Sequence, residues 1–143
     1  MKRDGAQRAL ARAASGQREE FGDFFLSRLL GFAIAYPDGA CTVAFEAEPF
    51  LFNPQGTLHG GILSTALDVS MGHLLRHVTG TAGTTLEFKV QFLGAVRSGG
   101  VVCTGRMLRR GRSICFLRAE ATDSAGEVVA FATSTWKLLA PRA

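Results

Sequence analysis

Five residues with chemical potential stand close together in Asn53-Pro54-Gln55-Gly56-Thr57-Leu58-His59-Gly60-Gly61 and the run that follows it to Asp68. Apolar residues recur at helical spacing from Ile62 onward, which predicts a helix from residue 60 to about 78. A helix start presents unpaired N–H groups and about half a positive charge, so it binds a negative oxygen. Gly60 and Gly61 would let a ligand atom come close to that backbone. Asp68 follows eight residues after Gly60, with no other charged residue nearby on the helix. A half-buried carboxyl without a charge partner has a raised pKa and is a candidate functional group. An oxyanion-binding helix start together with a carboxylate is the equipment of acyl transfer.

The spacing constrains how these groups can cooperate. Eight residues at about 1.5 Å rise place Gly60 and Asp68 about 12 Å apart along the axis. A donor and a base acting on one carbonyl must both lie within a few ångströms of it. If both are catalytic, each site combines Gly60 of one subunit with Asp68 of another. A two-fold dimer with adjacent antiparallel helices would create two such sites.

The remaining elements must hold this helix. On a helical wheel Ile62, Leu63, Ala66, Leu67, Met71, Leu74, Leu75 and Val78 form a broad apolar arc, so protein should surround most of it. Gly61, Ser64, Thr65, Asp68 and Gly72 form a narrower stripe of small or polar residues, which predicts close approach by another helix or a slender ligand. His73 and His77 stand four apart, but no third ligand is evident. They read as end-of-helix histidines facing solvent or a subunit contact, and no metal is expected. Before the helix, residues 18–30 read as a packing helix stopped by Gly31, and residues 32–36 and 41–47 as a hairpin about Pro37-Asp38-Gly39. After it, residues 84–93, 101–108, 113–122 and 127–139 read as strands. About six antiparallel strands around one long helix, with a further helix near the N-terminus, make an α+β architecture. Phe50, Phe52, Met71, Leu75 and Phe88 are candidates to line an apolar pocket.

Bulk properties narrow the function classes. At 143 residues the chain fits one domain, and 47% hydrophobic content excludes general disorder. Residues 1–17 are basic and alanine-rich and read as a flexible leader, leaving residues 18–143 as the domain. The net charge of +4 suits an anionic small ligand, and no nucleic-acid signature accompanies it. Cys41, Cys103 and Cys115 are odd in number and set among strand residues, which suggests reduced thiols and a cytoplasmic location. No apolar run is long enough to predict a membrane span.

The pattern Asn53-x-x-Gly56-x-x-His59-Gly60-Gly61-x6-Asp68, with the strands after it, resembles the hotdog-fold acyl-CoA thioesterases. It is most similar to the branch holding the phenylacetate-pathway and 4-hydroxybenzoyl-CoA enzymes. The resemblance spans residues 21–139. It implies a sheet wrapped around the central helix and a homodimer, commonly a dimer of dimers and so a homotetramer. It implies hydrolysis of an aryl- or medium-chain acyl-CoA, with CoA entering as part of the substrate and no separate cofactor. Gly60 then matches the oxyanion donor and Asp68 the catalytic general base or nucleophile. His59 and Asn53 match residues that shape the loop and orient thioester or water. Thr85 matches a residue that positions water near the acid, and Gly61 lies at the substrate-binding helix start. Arg109, Arg110 and Arg112 match a hairpin that contacts the nucleotide phosphates. Bidentate arginine–phosphate pairing suits that role, and a solvated basic turn is the other reading. A non-catalytic acyl-CoA-binding or regulatory protein and a hotdog dehydratase are the alternatives.

Overall fold

The apolar arc of residues 62–78 becomes the centre of the molecule. In a computed structural model that describes residues 2–16 and 18–140, helix α3 (Gly60–Thr79) lies across one antiparallel sheet. Leu67, Met71, Leu74 and Leu75 on this helix are at most 1% exposed. Each such burial contributes roughly 1.5–3 kcal/mol. Gly80, in the left-handed conformation at φ 73°, ends the helix as its C-cap.

Among the described residues the sheet has six strands: β1 (Ala33–Ala35), β2 (Cys41–Glu46), β3 (Gly83–Phe92), β4 (Gly100–Arg110), β5 (Ile114–Thr122) and β6 (Val128–Leu138). Their order is β1-β2-β4-β5-β6-β3, and every neighbouring pair is antiparallel. Alternation supplies the inner face: Val43 and Phe45, Val101 and Cys103, Cys115 and Leu117, Ala130 and Ala132 are all buried. The free thiols Cys41 and Cys103 belong to this core, and burial pushes both up to about 12. Gly105 lets helix and sheet meet backbone to backbone. A Cβ there would lie 2.6 Å from the Ser70 carbonyl oxygen. At Gly72 the approaching group is neither a helix nor a ligand. It is the indole of Trp136, whose Nε1–H donates to Ser134 Oγ at 2.7 Å.

Three sequence expectations are corrected. The expected leader is a helix, α1 (Lys2–Ser15), whose Ala9 and Ala13 are buried. Residues 1, 17 and 141–143 lie outside the described residues. The alanine-rich sequence favours a helix, and two arginines dock it. Arg12 donates to the carbonyls of Arg28 and Leu29, at the end of α2 (Phe25–Leu30), while Arg28 Nε donates to the Ala13 carbonyl. The expected helix over residues 18–30 is therefore reduced to α2. Gly22 at φ 93° breaks the pattern, and Phe24 becomes the N-cap, its N–H bonded to Ser27 Oγ at 3.1 Å. The displaced Phe21 and Phe24 instead pack on His73, with ring centroids 4.4 and 6.3 Å away. His73 is thus buried rather than solvent-facing, and its Nδ1 bonds the Val69 carbonyl at 3.0 Å. His77 stacks on Tyr36 at 4.2 Å. Among the described residues, no helix is long and apolar enough to cross a membrane.

Candidate active site

Asn53 closes the loop that delivers the chain to α3. Its Oδ1 accepts from the Thr57 N–H at 3.2 Å, and its Nδ2 donates to Thr57 Oγ1 at 2.9 Å. Gly56 at φ 83° makes the turn between them. The loop then ties to the body through the His59 N–H to the Leu51 carbonyl, and through the Leu58 N–H to the Val96 carbonyl. His59 caps α3. Its Nδ1 accepts from the Gly61 N–H at 2.8 Å, so that nitrogen is not the one carrying the ring proton. This engages the N–H of Gly61, the residue expected at the substrate-binding helix start, in the cap. Gly60 is the first helical residue, and its N–H has no intrahelical acceptor. The ring of Phe92 lies across this position, 3.1 Å from where a Gly60 Cβ would stand.

Asp68 is half-buried two turns further along, and Thr85 Oγ1 donates to its Oδ1 at 2.9 Å. Burial raises the Asp68 pKa, and the Thr85 hydrogen bond opposes that rise. Regular alternation from Phe88 backwards would turn Thr85 away from α3. A bulge between Thr85 and Glu87 changes the phase. Thr85 pairs with buried Trp136 and faces the helix, while Leu86 turns outward, 54% exposed. Ser64 and Thr65 return their hydroxyls to the carbonyls of Gly60 and Gly61, leaving Asp68 as the reactive group of the small-residue stripe.

The arginine hairpin stands at the other end of α3. Arg110 Nη1 donates to the Val78 carbonyl at 3.4 Å, and Val78 is about 27 Å along the axis from Gly60. Arg109 is exposed on β4. Arg112 and Lys137 line a cavity of about 610 Å³ with Thr81 and Ser113. Lys137 was not singled out from sequence, because a lone strand lysine looks like any solvated charge. Of the apolar pocket candidates, Met71 and Leu75 are 0% exposed core residues, which corrects that assignment. Phe50 borders a cavity under α1 with Gly5, Arg8 and Glu48. The cavity next to Gly60, about 350 Å³, is lined instead by Leu58, Leu63, Phe92 and Val96 among others.

One chain thus holds a helix start with the Gly60 N–H outside the intrahelical ladder and a half-buried, hydrogen-bonded carboxyl, separated along one helix. Comparison with known proteins identifies the scaffold. The family model described as thioesterase superfamily matches residues 55–130, just over half of the chain. The medium/long-chain acyl-CoA thioesterase YigI of Salmonella typhimurium is 27% identical over 128 residues, covering 77% of this chain and 83% of that protein. A phenylacetic acid degradation-related protein of Ralstonia eutropha is 26% identical, with a TM-score of 0.75, over 92% of this chain and 99% of that one. The BH2602 protein of Bacillus halodurans, solved with CoA, has the same fold at a TM-score of 0.83 and 19% identity, over 99% and 93% of the two chains. A chain that matches this model across its loop, central helix and following strands belongs to the thioesterase superfamily and is a thioester hydrolase of the hotdog fold.

Proposed function

We propose that the protein hydrolyses the thioester of an aryl- or medium-chain acyl-CoA, giving the free acid and CoA. The observation that carries this reading is the half-buried Asp68 carboxyl held by Thr85 on the helix that begins at Gly60. The likeness to YigI, a medium/long-chain acyl-CoA thioesterase, and to the phenylacetic acid degradation-related protein of Ralstonia supports acyl groups of these two kinds.

The Gly60 N–H and the helix dipole stabilise the oxyanion that develops on the thioester carbonyl. Asp68 acts in one of two ways. As a base it takes a proton from water, whose oxygen attacks the carbonyl carbon. As a nucleophile it attacks that carbon itself, and water then cleaves the resulting anhydride. In both cases the carbon–sulfur bond breaks, and the thiol leaves as CoA. His59 and Asn53 hold the loop that exposes Gly60, and Thr85 orients the carboxylate. Because about 12 Å of helix separates Gly60 from Asp68, one carbonyl meets Gly60 of one subunit and Asp68 of its partner. The active unit is therefore a homodimer, and two dimers pair into a tetramer. Strand β3 lies at an edge of the sheet, where a second copy can extend it. Arg109, Arg110 and Arg112, together with Lys137, offer charge for the nucleotide phosphates. The reduced thiols of Cys41, Cys103 and Cys115 suit a cytoplasmic location.

Thiol release measured across aryl, short, medium and long acyl-CoAs tests the reading. Maximal kcat/KM is expected for aryl or medium chains. Saturable binding without thiol release would replace hydrolysis by a binding role. The charge balance at Asp68 adds a pH prediction. Activity requires the ionised carboxyl, so the acid limb of kcat/KM lies above the ordinary aspartate range. Thr85→Ala removes the bond that holds the pKa down, so the limb moves to higher pH, and Thr85→Ser returns it. An unmoved limb in Thr85→Ala would detach Thr85 from the reaction.

A further inference from the structure

We propose that Trp136 and Ser134 are positioning residues for the hydrolysis: the Trp136 ring, oriented by Ser134, sets the place of the Thr85 hydroxyl against the Asp68 carboxyl. The proposal rests on the thioesterase reading, with Asp68 as its reactive group. Trp136 is 5% and Ser134 3% exposed, so both act from within the core and neither touches a substrate.

The Thr85–Asp68 hydrogen bond joins two elements, β3 and α3, and both meet the same ring. In the sheet Trp136 stands opposite Thr85, the last pair before the bulge. Toward the helix its ring presses on Gly72, one turn beyond Asp68. A Cβ at Gly72 would lie 2.7 Å from Cη2 and 3.1 Å from Cζ3 of the indole. A Cβ at Gly83, at the start of β3, would stand 3.4 Å from Cε3 of the same ring. The indole thus fills a socket between two residues that have no side chain. It sets how far β3 stands from α3 at the turn next to Asp68. A core has little free volume to absorb a change there, so a displaced ring displaces its neighbours.

Hydrogen bonds fix the rotation of the ring. A buried indole N–H needs a partner. Trp136 Nε1–H donates to Ser134 Oγ at 2.7 Å, two residues back along β6 on the same face. Ser134 Oγ in turn donates to Met71 Sδ at 3.0 Å. Met71 precedes Gly72, so these bonds tie β6 to the turn of α3 that the ring touches. The charged side chains of β3 and β6 face the other way. Glu87 accepts from Thr135 Oγ1 at 2.7 Å on the outer face, where Lys89 and Lys137 are exposed. The Thr85 hydroxyl is therefore the contact through which the ring acts on Asp68, and it opposes the rise that burial gives the carboxyl's pKa.

The test follows the Asp68 carboxyl directly, by carbon-13 NMR titration, and beside it the acid limb of the kcat/KM pH profile. Ser134→Ala strands the indole N–H, and Trp136→Phe removes that N–H and part of the ring. Each is expected to move both readings to higher pH, by less than Thr85→Ala does. Ser134→Thr keeps the hydroxyl and should bring both back. In a Thr85→Ala background Ser134→Ala should add no further shift, because the contact through which the ring acts is already gone. Val43→Ala opens a cavity in the core at β2 and serves as the comparison. It should lower the melting temperature and leave the carboxyl titration where it was. An Asp68 titration unmoved in folded Ser134→Ala and Trp136→Phe proteins overturns the proposal and leaves the hydrolase reading intact. So does a Ser134→Ala shift that is equal with and without Thr85. A moved titration with an unmoved kinetic limb removes Asp68 from the reaction, and the proposal with it. Inactivity of the unaltered protein toward every acyl-CoA removes the hydrolase reading itself, whatever the titration shows. Thermal melts establish which variants are folded, and Trp136→Phe carries the test if Ser134→Ala is not.

Discussion

Asp68→Asn is expected to lower turnover by about 10²–10⁴-fold and to leave the protein at least as stable as the unaltered chain at pH 7. The first effect follows from the loss of the carboxylate on the small-residue stripe, where the Ser64 and Thr65 hydroxyls are turned back to backbone carbonyls. The second follows from the pKa. Burial raises the Asp68 value in the folded state, so the folded protein holds that proton more tightly than the unfolded chain does. Between the unfolded value, about 3.9, and the raised folded value, stability therefore falls as pH rises. Above the raised folded value the carboxylate is ionised in both states, and the full cost of burying its charge is present. Asparagine has nearly the same shape, can still accept from Thr85 Oγ1, and carries no charge. Melting curves of both proteins at pH 7 and at a pH below the window should show the variant's advantage growing with pH. Full hydrolytic rates in a folded Asp68→Asn protein would remove the mechanism. A variant less stable at pH 7 would mean that the carboxylate holds the fold together instead.

Gly60→Pro should cost about 2.7–4 kcal/mol of barrier, the usual loss of one oxyanion donor, without unfolding the protein. Proline lacks the N–H, and the first helical position is where proline is best tolerated. His59, at φ −64° and ψ 130°, already has the extended conformation that a residue before proline prefers. Gly60 is not among the glycines with positive φ, so the ring imposes no backbone reversal. The added atoms do press on Phe92, and Gly60→Ala isolates this effect because it adds a Cβ and keeps the donor. Gly60→Ala should therefore lose much less than Gly60→Pro, and equal losses would mean that the N–H is not the active element. Mixing the Gly60→Pro and Asp68→Asn proteins then tests the shared site. A heterodimer holds one site with both defects and one with neither, so a statistical mixture should recover about a quarter of the unaltered activity. Heterodimers that form and stay inactive would place both groups in one chain's site.

Much of the fold is a local property and could be read locally. Helix α3 runs where its apolar period and its terminal glycines place it, and β2 and β4 to β6 follow their alternation within a few residues. Local reading failed where distant segments compete for a residue. Residues 21, 24, 25 and 29 have helical spacing, yet Phe21 and Phe24 leave the helix to cover His73, a partner 49 or more positions away. Residues 2–15 looked unattached because their docking partners, the carbonyls of Arg28 and Leu29, are backbone groups that no sequence pattern displays. Phe92 looked like one more apolar strand residue. Its position against Gly60 depends on how the end of β3 meets the start of α3.

The sequence by itself determined the separation of Gly60 and Asp68, because the rise of a helix is the same in every protein. That separation is the ground for the proposal that two subunits share one site. Only the tertiary structure decided how Thr85 reaches the carboxyl. Strand side chains alternate with a period of two, so a single extra residue exchanges the faces. The bulge at Leu86 is that residue, and pairing with β6 beside Trp136 creates it. Without the bulge Thr85 would face away from α3, and Asp68 would lack the hydroxyl that counters the effect of its burial.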